Sequence, residues 1–250
     1  LRNTYDEDGT VAMAIYLKAD GSYFIPRGRD YAYSLKTWND DRSGYSITYY
    51  GTDGQPVRIS SGYATIQCDV DRTGSVVRET YLDVYGNRTL SSNLYAEVRR
   101  VYDSQKLLIE ESYYDLNGEP MTRSAGYAML RREYDVYKRQ TAETYHDTQG
   151  QPVNTTQGIH AIRNTYDRDG RKILESYYDV DGKAHTRGNT YVAIARTYDN
   201  VGNVLTEAYL NEEGQVIACS GGYDTIERIY NDKKKVVEET YLPENSPFML

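Results

Sequence analysis

The sequence predicts an all-β protein made of tandem hairpins. Three observations carry this: an internal period of 32 residues, Asp-x-x-Gly turns that recur at two positions of the period, and two-residue alternation between the turns. The period is visible as columns. One runs Tyr31, Tyr63, Tyr95, Tyr127, Ile159, Tyr191, Tyr223, and a second Trp38, Val70, Tyr102, Tyr134, Tyr166, Tyr198, Tyr230. A third runs Tyr49, Tyr81, Tyr113, Tyr145, Tyr177, Tyr209, Tyr241. Residues 1–250 therefore read as a single repeat domain. A partial copy fills 1–30, units then begin near 31, 63, 95, 127, 159, 191 and 223, and the last is truncated.

Each unit reads as strand A, a tight turn, strand B, a second tight turn, then a short strand or loop C. Asp167-Arg168-Asp169-Gly170 exemplifies the first turn and Asp179-Val180-Asp181-Gly182 the second. Asp-Gly between alternating segments predicts a two-residue type I′ turn, with positive φ at both central residues. Such a turn at Asp169-Gly170 sets Asn164 opposite Glu175. The same rule sets Arg100 opposite Glu111, Arg132 opposite Glu143, Arg196 opposite Glu207 and Arg228 opposite Glu239. Opposite charges facing across a strand pair contribute roughly 0.2–1 kcal/mol, so these residues are expected to form a structural ladder.

Alternation then sorts the faces. Val98, Arg100, Tyr102, Ile109, Glu111 and Tyr113 share a face that is similar from unit to unit, expected to be the inner one. Tyr95, Glu97, Arg99, Glu110, Ser112 and Tyr114 fall on the other, which differs between copies as a solvated face does. A lone hairpin cannot bury its inner face, but stacked hairpins can. The expected architecture is an elongated or spiralling β-hairpin solenoid. A closed propeller-like ring is the alternative: seven copies suit it, although 32 residues is short for a four-stranded blade.

Composition bounds the function. The chain has 28 Tyr against 2 Phe and 1 Trp, so its aromatic contacts carry hydroxyls that need water or a partner. The net charge is −8, and the basic residues are spread among acids, which argues against nucleic acid. No apolar run approaches the roughly 18 residues of a membrane span. Cys68 and Cys219 lie several units apart and are expected to be unpaired. The chain begins with Leu1 in mid-pattern and shows no signal peptide, as a fragment or processed protein would.

No catalytic residue, metal or cofactor is expected. Glu79, Glu111, Glu143, Glu175, Glu207 and Glu239 could pair for glycoside hydrolysis, but six copies of one residue are architecture. Asp6-x-Asp8-Gly9, Asp167-x-Asp169-Gly170 and Asp179-x-Asp181-Gly182 resemble the opening of a calcium loop. Equivalent slots hold Ser104-Gln105-Lys106 and Val136-Tyr137-Lys138, so an aspartate-capped turn is the better reading. His146, His160 and His185 occupy three different columns. The outer aromatics Tyr31, Tyr50, Tyr95, Tyr114, Tyr127 and Tyr178 are the ligand-binding candidates. They are expected to meet diagonally, Tyr31 with Tyr50, Tyr95 with Tyr114 and Tyr127 with His146, as a platform for sugar rings or quaternary amines. The competing reading packs them against the next unit.

The stretch Arg163-Asn164-Thr165-Tyr166-Asp167-Arg168-Asp169-Gly170-Arg171 resembles the Tyr-Asp (YD) repeats of RHS-type bacterial surface and toxin-delivery proteins. In that family a Tyr-Asp-x-x-Gly core builds hairpins that spiral into a shell. The Tyr-Tyr-Asp-x-x-Gly portion is also similar to choline- and glucan-binding repeats of Gram-positive cell surfaces. The resemblance implies a bacterial protein at the cell surface or outside the cell. The expected function is a non-catalytic repeat module: scaffold, stalk, or a surface that binds carbohydrate or another surface protein. The alternative it implies is an encapsulating scaffold for a toxin or enzyme domain elsewhere in the parent protein.

Overall fold

The computed structural model describes residues 1–7 and 9–243. It contains sixteen strands: β1 (Arg2–Tyr5), β2 (Val11–Ile15), β3 (Tyr33–Trp38), β4 (Gly44–Tyr50), β5 (Thr65–Val70), β6 (Val76–Leu82), β7 (Glu97–Tyr102), β8 (Leu108–Tyr114), β9 (Met129–Tyr134), β10 (Gln140–His146), β11 (Ala161–Tyr166), β12 (Lys172–Tyr178), β13 (Ala193–Tyr198), β14 (Val204–Leu210), β15 (Thr225–Tyr230) and β16 (Val236–Leu242). No helix occurs among the described residues. The chain divides into two compact units, Leu1–Arg123 and Ser124–Leu250.

Each unit is an antiparallel meander in chain order, β1 to β8 in the first and β9 to β16 in the second. Strands pair within a repeat, as β5 does with β6, and also between successive repeats, as β4 does with β5 and β6 with β7. This edge-to-edge pairing sets aside the propeller alternative, in which each repeat would be a separate blade. In neither unit does the first strand pair with the last, so both sheets are open.

The register is the expected one. Arg100 faces Glu111, Arg132 faces Glu143, Asn164 faces Glu175, Arg196 faces Glu207 and Arg228 faces Glu239. The turn that sets it is not type I′. Gly170 has φ +83°, but Asp169 is not among the residues with positive φ. The Gly170 amide donates to the Asp167 carbonyl at 3.1 Å, and the Asp167 amide donates to the Arg171 carbonyl at 2.9 Å. This is a type I turn followed by one left-handed residue. A bulge between Thr165 and Tyr166 then absorbs the extra residue, so the pairs beyond it match those of a two-residue loop. The same irregularity recurs in the β5–β6, β7–β8, β13–β14 and β15–β16 hairpins.

Aspartate opens the turn because its carboxylate caps it. Asp167 Oδ1 accepts the amides of Asp169 at 2.9 Å and Arg171 at 2.8 Å. Asp115 does the same in the second type of turn, with Asn117 and Glu119. The carboxylates read as a possible calcium-loop opening at Asp167 and Asp179 are therefore used by backbone N–H groups. In the third such sequence, Asp6 is held by Thr10 and Trp38, and Asp8 lies outside the described residues.

Segment C is short, as expected. It folds back from the second turn through isolated bridges such as Tyr114 to Pro120 and His146 to Pro152. A third turn follows, Ile59 to Gly62 in one copy and Thr155 to Gly158 in another. These loops stack on their neighbours: the Ser92 amide donates to the Ser61 carbonyl, and the Thr156 amide to the Ala125 carbonyl.

One expectation about the faces is overturned. The backbone bends just before each odd-numbered strand from β3 onward, at Ala32, Ala64, Ala96, Ala128, His160, Val192 and Asp224. The bend breaks the alternation and turns the preceding tyrosine onto the Tyr49 face. The alanines at the bend are closed off, Ala32, Ala64 and Ala96 completely. The face expected to be solvated also buries residues, with Thr80, Glu97, Ser112, Ser176 and Ala208 all buried. The small side chains of Thr80, Ser112, Ser176 and Ala208 follow one column of that face, and small residues let neighbouring side chains close over them.

Candidate functional site

The repeated feature of the inner face is a run of tyrosine rings beside a run of ion pairs. In the first unit the rings follow in order Tyr16, Tyr31, Tyr49, Tyr63, Tyr81, Tyr95 and Tyr113. Successive centroids lie 6.1, 4.8, 6.2, 4.8, 5.8 and 4.9 Å apart. In the second unit Tyr127 meets Tyr145 at 4.9 Å, and Tyr191, Tyr209, Tyr223 and Tyr241 continue at 4.5, 6.0 and 4.8 Å. Ile159 replaces a ring and joins Leu130, Tyr145 and Tyr177 in a buried cluster. These spacings and tilts are those that aromatic quadrupoles favour.

From Tyr81 onward, the ring on each even-numbered strand donates its hydroxyl to a carboxylate two residues back; Tyr49 has Ile47 there instead. Tyr81 donates to Glu79 at 3.1 Å, Tyr145 to Glu143 at 2.8 Å and Tyr177 to Glu175 at 2.6 Å. Tyr113 donates to Glu111 in the same way. The arginines close the ladder. Arg100 Nε meets Glu111 at 2.8 Å and its Nη1 meets Glu79 at 2.9 Å, so one guanidinium joins two neighbouring repeats. Arg132 meets Glu143 at 2.9 Å, and Arg196 meets Glu207 and Arg228 meets Glu239 at 2.8 Å. Where Asn164 replaces arginine, Lys172 reaches Glu175 at 2.7 Å. Burial, with the nearby Glu79 carboxylate, pushes the Tyr81 phenol well above its usual range. Burial pushes Tyr49 up to about 12.

The proposed outer platform does not assemble as expected. Tyr31, Tyr95 and Tyr127 belong to the inner ring series, stacked on Tyr49, Tyr113 and Tyr145 rather than on Tyr50, Tyr114 and His146. The bend at the following residue is the cause. Arg123 also lies over Tyr113 and Tyr95, at 4.3 and 5.4 Å. On the other face, Tyr114 carries Arg99 over its ring at 3.9 Å, and Tyr178 carries Arg163 at 5.3 Å. Tyr50 stacks on Tyr33 at 4.7 Å, and Tyr33 meets the exposed Tyr23 at 5.1 Å. His146 is buried, with its ring against His160 at 5.5 Å.

Sequence reasoning missed a buried ionic cluster. Glu97 is fully buried and accepts from Arg88 at 2.7 Å, Arg99 at 2.6 Å and Thr80 at 3.2 Å. Its signal was its singularity: the column reads Tyr33, Thr65, Glu97, Met129, Ala161, Ala193, Thr225. Near the N-terminus, Lys36 fills the ladder position between Trp38 and Tyr45, with its Nζ 4.2 and 4.4 Å from their ring centroids. Both cysteines are free thiols, and burial pushes Cys68 up to about 11, the reverse of nucleophile activation. Among the described residues no group of three His, Cys, Asp or Glu side chains converges as a metal site. No helix long and apolar enough to cross a membrane occurs among them.

No family model matches the chain, and no curated protein matches it. Solved structures similar to it include a crystal structure of TcdB2-TccC3-TEV, with 12% identity and a TM-score of 0.35. The match covers 95% of this chain and 13% of that one. A crystal structure of TcdB2-TccC3 matches with 13% identity and a TM-score of 0.30, over 96% of this chain and 16% of that one. The chain thus spans well under a fifth of either.

Proposed function

We propose that the chain is a non-catalytic scaffold segment whose repeats serve as interchangeable structural units. The observation that supports this is the recurrence of the Glu-Arg-Tyr rung at 32-residue steps. Carboxylates that could act as acid or base, such as Glu79 and Glu111, are tied to Arg100 and to a phenol instead. An arginine lies over one face of Tyr114 and one face of Tyr178, which reduces the ring surface left for a sugar. Placement in a longer bacterial surface or secreted protein rests on the Tyr-Asp resemblance alone.

Excision of residues 159–190, which leaves the Glu97 cluster whole, tests this reading. The cut joins Gly158 to Tyr191, a Gly-Tyr junction like that of Gly62 and Tyr63. The shortened chain is expected to fold, with an unchanged β-sheet circular dichroism per residue and cooperative urea unfolding. A shortened chain that is unfolded overturns the proposal, because the units would then not be interchangeable.

A further inference from the structure

The bend that precedes each strand A places one side chain in a closed slot. Alanine fills it at positions 32, 64, 96 and 128, valine at 192, and two units depart: His160 and Asp224. The backbone around these two is the same. The amides of Tyr145 and Tyr209 donate to the carbonyls of His160 and Asp224, at 2.9 and 3.0 Å. The amides of Val153 and Ile217 donate to the carbonyls of Tyr145 and Tyr209, at 3.1 and 2.9 Å.

His160 shows what the slot presents to its occupant. Its Nδ1 lies 2.8 Å from the Tyr145 carbonyl and 3.3 Å from the Val153 carbonyl. Carbonyls only accept, so Nδ1 carries the proton and donates. The slot is therefore lined by acceptors. By the repeat, the carbonyls equivalent to those of Tyr145 and Val153 are those of Tyr209 and Ile217, and the residue at the slot is Asp224. Asp224 is 1% exposed, and among the described residues neither of its carboxylate oxygens has a hydrogen-bond partner. The adjacent Thr225 is fully buried, and its hydroxyl oxygen has no partner among the described residues either. A buried carboxylate without a donor is costly unless a proton neutralises it or a cation joins it; one proton serves one of the two Asp224 oxygens, whereas a cation serves both.

We propose that Asp224, the Thr225 hydroxyl and the carbonyls of Tyr209 and Ile217 form a site for a hard monovalent cation of the sodium class. Oxygen-only ligands select hard cations. One carboxylate balances one positive charge, whereas a divalent ion would leave excess charge buried. The site would pin the last described hairpin, since the Asp224 amide bonds the Leu242 carbonyl of β16.

The test is amide hydrogen exchange at Asp224 and Tyr209 in sodium chloride against N-methyl-D-glucamine chloride at equal ionic strength. Sodium at about ten times its Kd should slow both amides roughly tenfold in the wild-type chain. Asp224→Ala restores the residue of four other repeats, so it is expected to fold and to lose the sodium response. Thr225→Val is expected to weaken the response at a given sodium concentration. Equal exchange of the wild-type amides in the two chlorides overturns the site, as does an undiminished sodium response in Asp224→Ala.

Discussion

At the residue scale, the turns separate two demands that the motif combines: an acceptor at its first position and a left-handed backbone at its last. Aspartate meets the first in most copies. Glycine meets the second at Gly74, Gly170 and Gly202, but Lys106, Lys138 and Lys234 hold the same position at φ 64°, 66° and 57°. A side chain with a Cβ pays roughly 1 kcal/mol for that conformation. Lys138→Gly is therefore expected to stabilise the chain by about 1 kcal/mol in urea unfolding, less what glycine's freedom costs in the unfolded chain. A destabilised variant would mean that the Lys138 side chain itself holds the turn. Glycine at these positions was legible in the sequence. That Asp169 is not left-handed was not, because Asp-Gly suits both a type I′ turn and a type I turn with a following bulge.

At the scale of the hairpin, the carboxylate caps make folding sensitive to acid. Backbone N–H groups donating to Asp83, Asp115 and Asp167 hold these carboxyls below their usual range. A group whose folded pKa is depressed stabilises above its unfolded value, about 3.9, and that contribution disappears as the pH falls through the folded value. The urea midpoint is expected to drop steadily below about pH 4. Asp167→Asn keeps an acceptor oxygen but cannot titrate, so it should lower the midpoint at neutral pH and flatten its acid dependence. An unaltered acid profile in that variant would count against the cap. The hairpin register was legible because Arg and Glu occupy opposed columns. The partners of Glu97 were not: alternation places it on the variable face, and Arg88 reaches it from segment C, whose path no periodicity encodes.

At the scale of the whole molecule, the rings of each unit act together. Burial raises the phenols of Tyr49, Tyr81, Tyr145, Tyr177 and Tyr209, and neighbouring glutamates add to this at Tyr81, Tyr145, Tyr177 and Tyr209. For an acid whose folded pKa is raised, the stabilisation is full below the unfolded value, about 10, and is lost as the pH rises above it. The chain is expected to unfold in alkali, with the ladder phenolates appearing by ultraviolet absorbance in step with loss of the β-sheet signal. Ladder phenols that ionise while the sheet signal persists would contradict the burial of the rings. The Tyr columns announced a continuous aromatic array in the sequence. Their division between faces was hidden by a bend at small residues such as Ala96, which carry no pattern of their own.

The meander has a consequence for how the chain reaches this state. Each strand within a unit pairs only with its neighbours in sequence, and each rung is closed by a short turn or by a connection within one repeat. Loop-closure entropy is thus paid in small instalments, and no contact waits for a distant segment to be synthesised. A chain emerging from the ribosome can complete its hairpins one after another, and any repeat can nucleate growth in either direction.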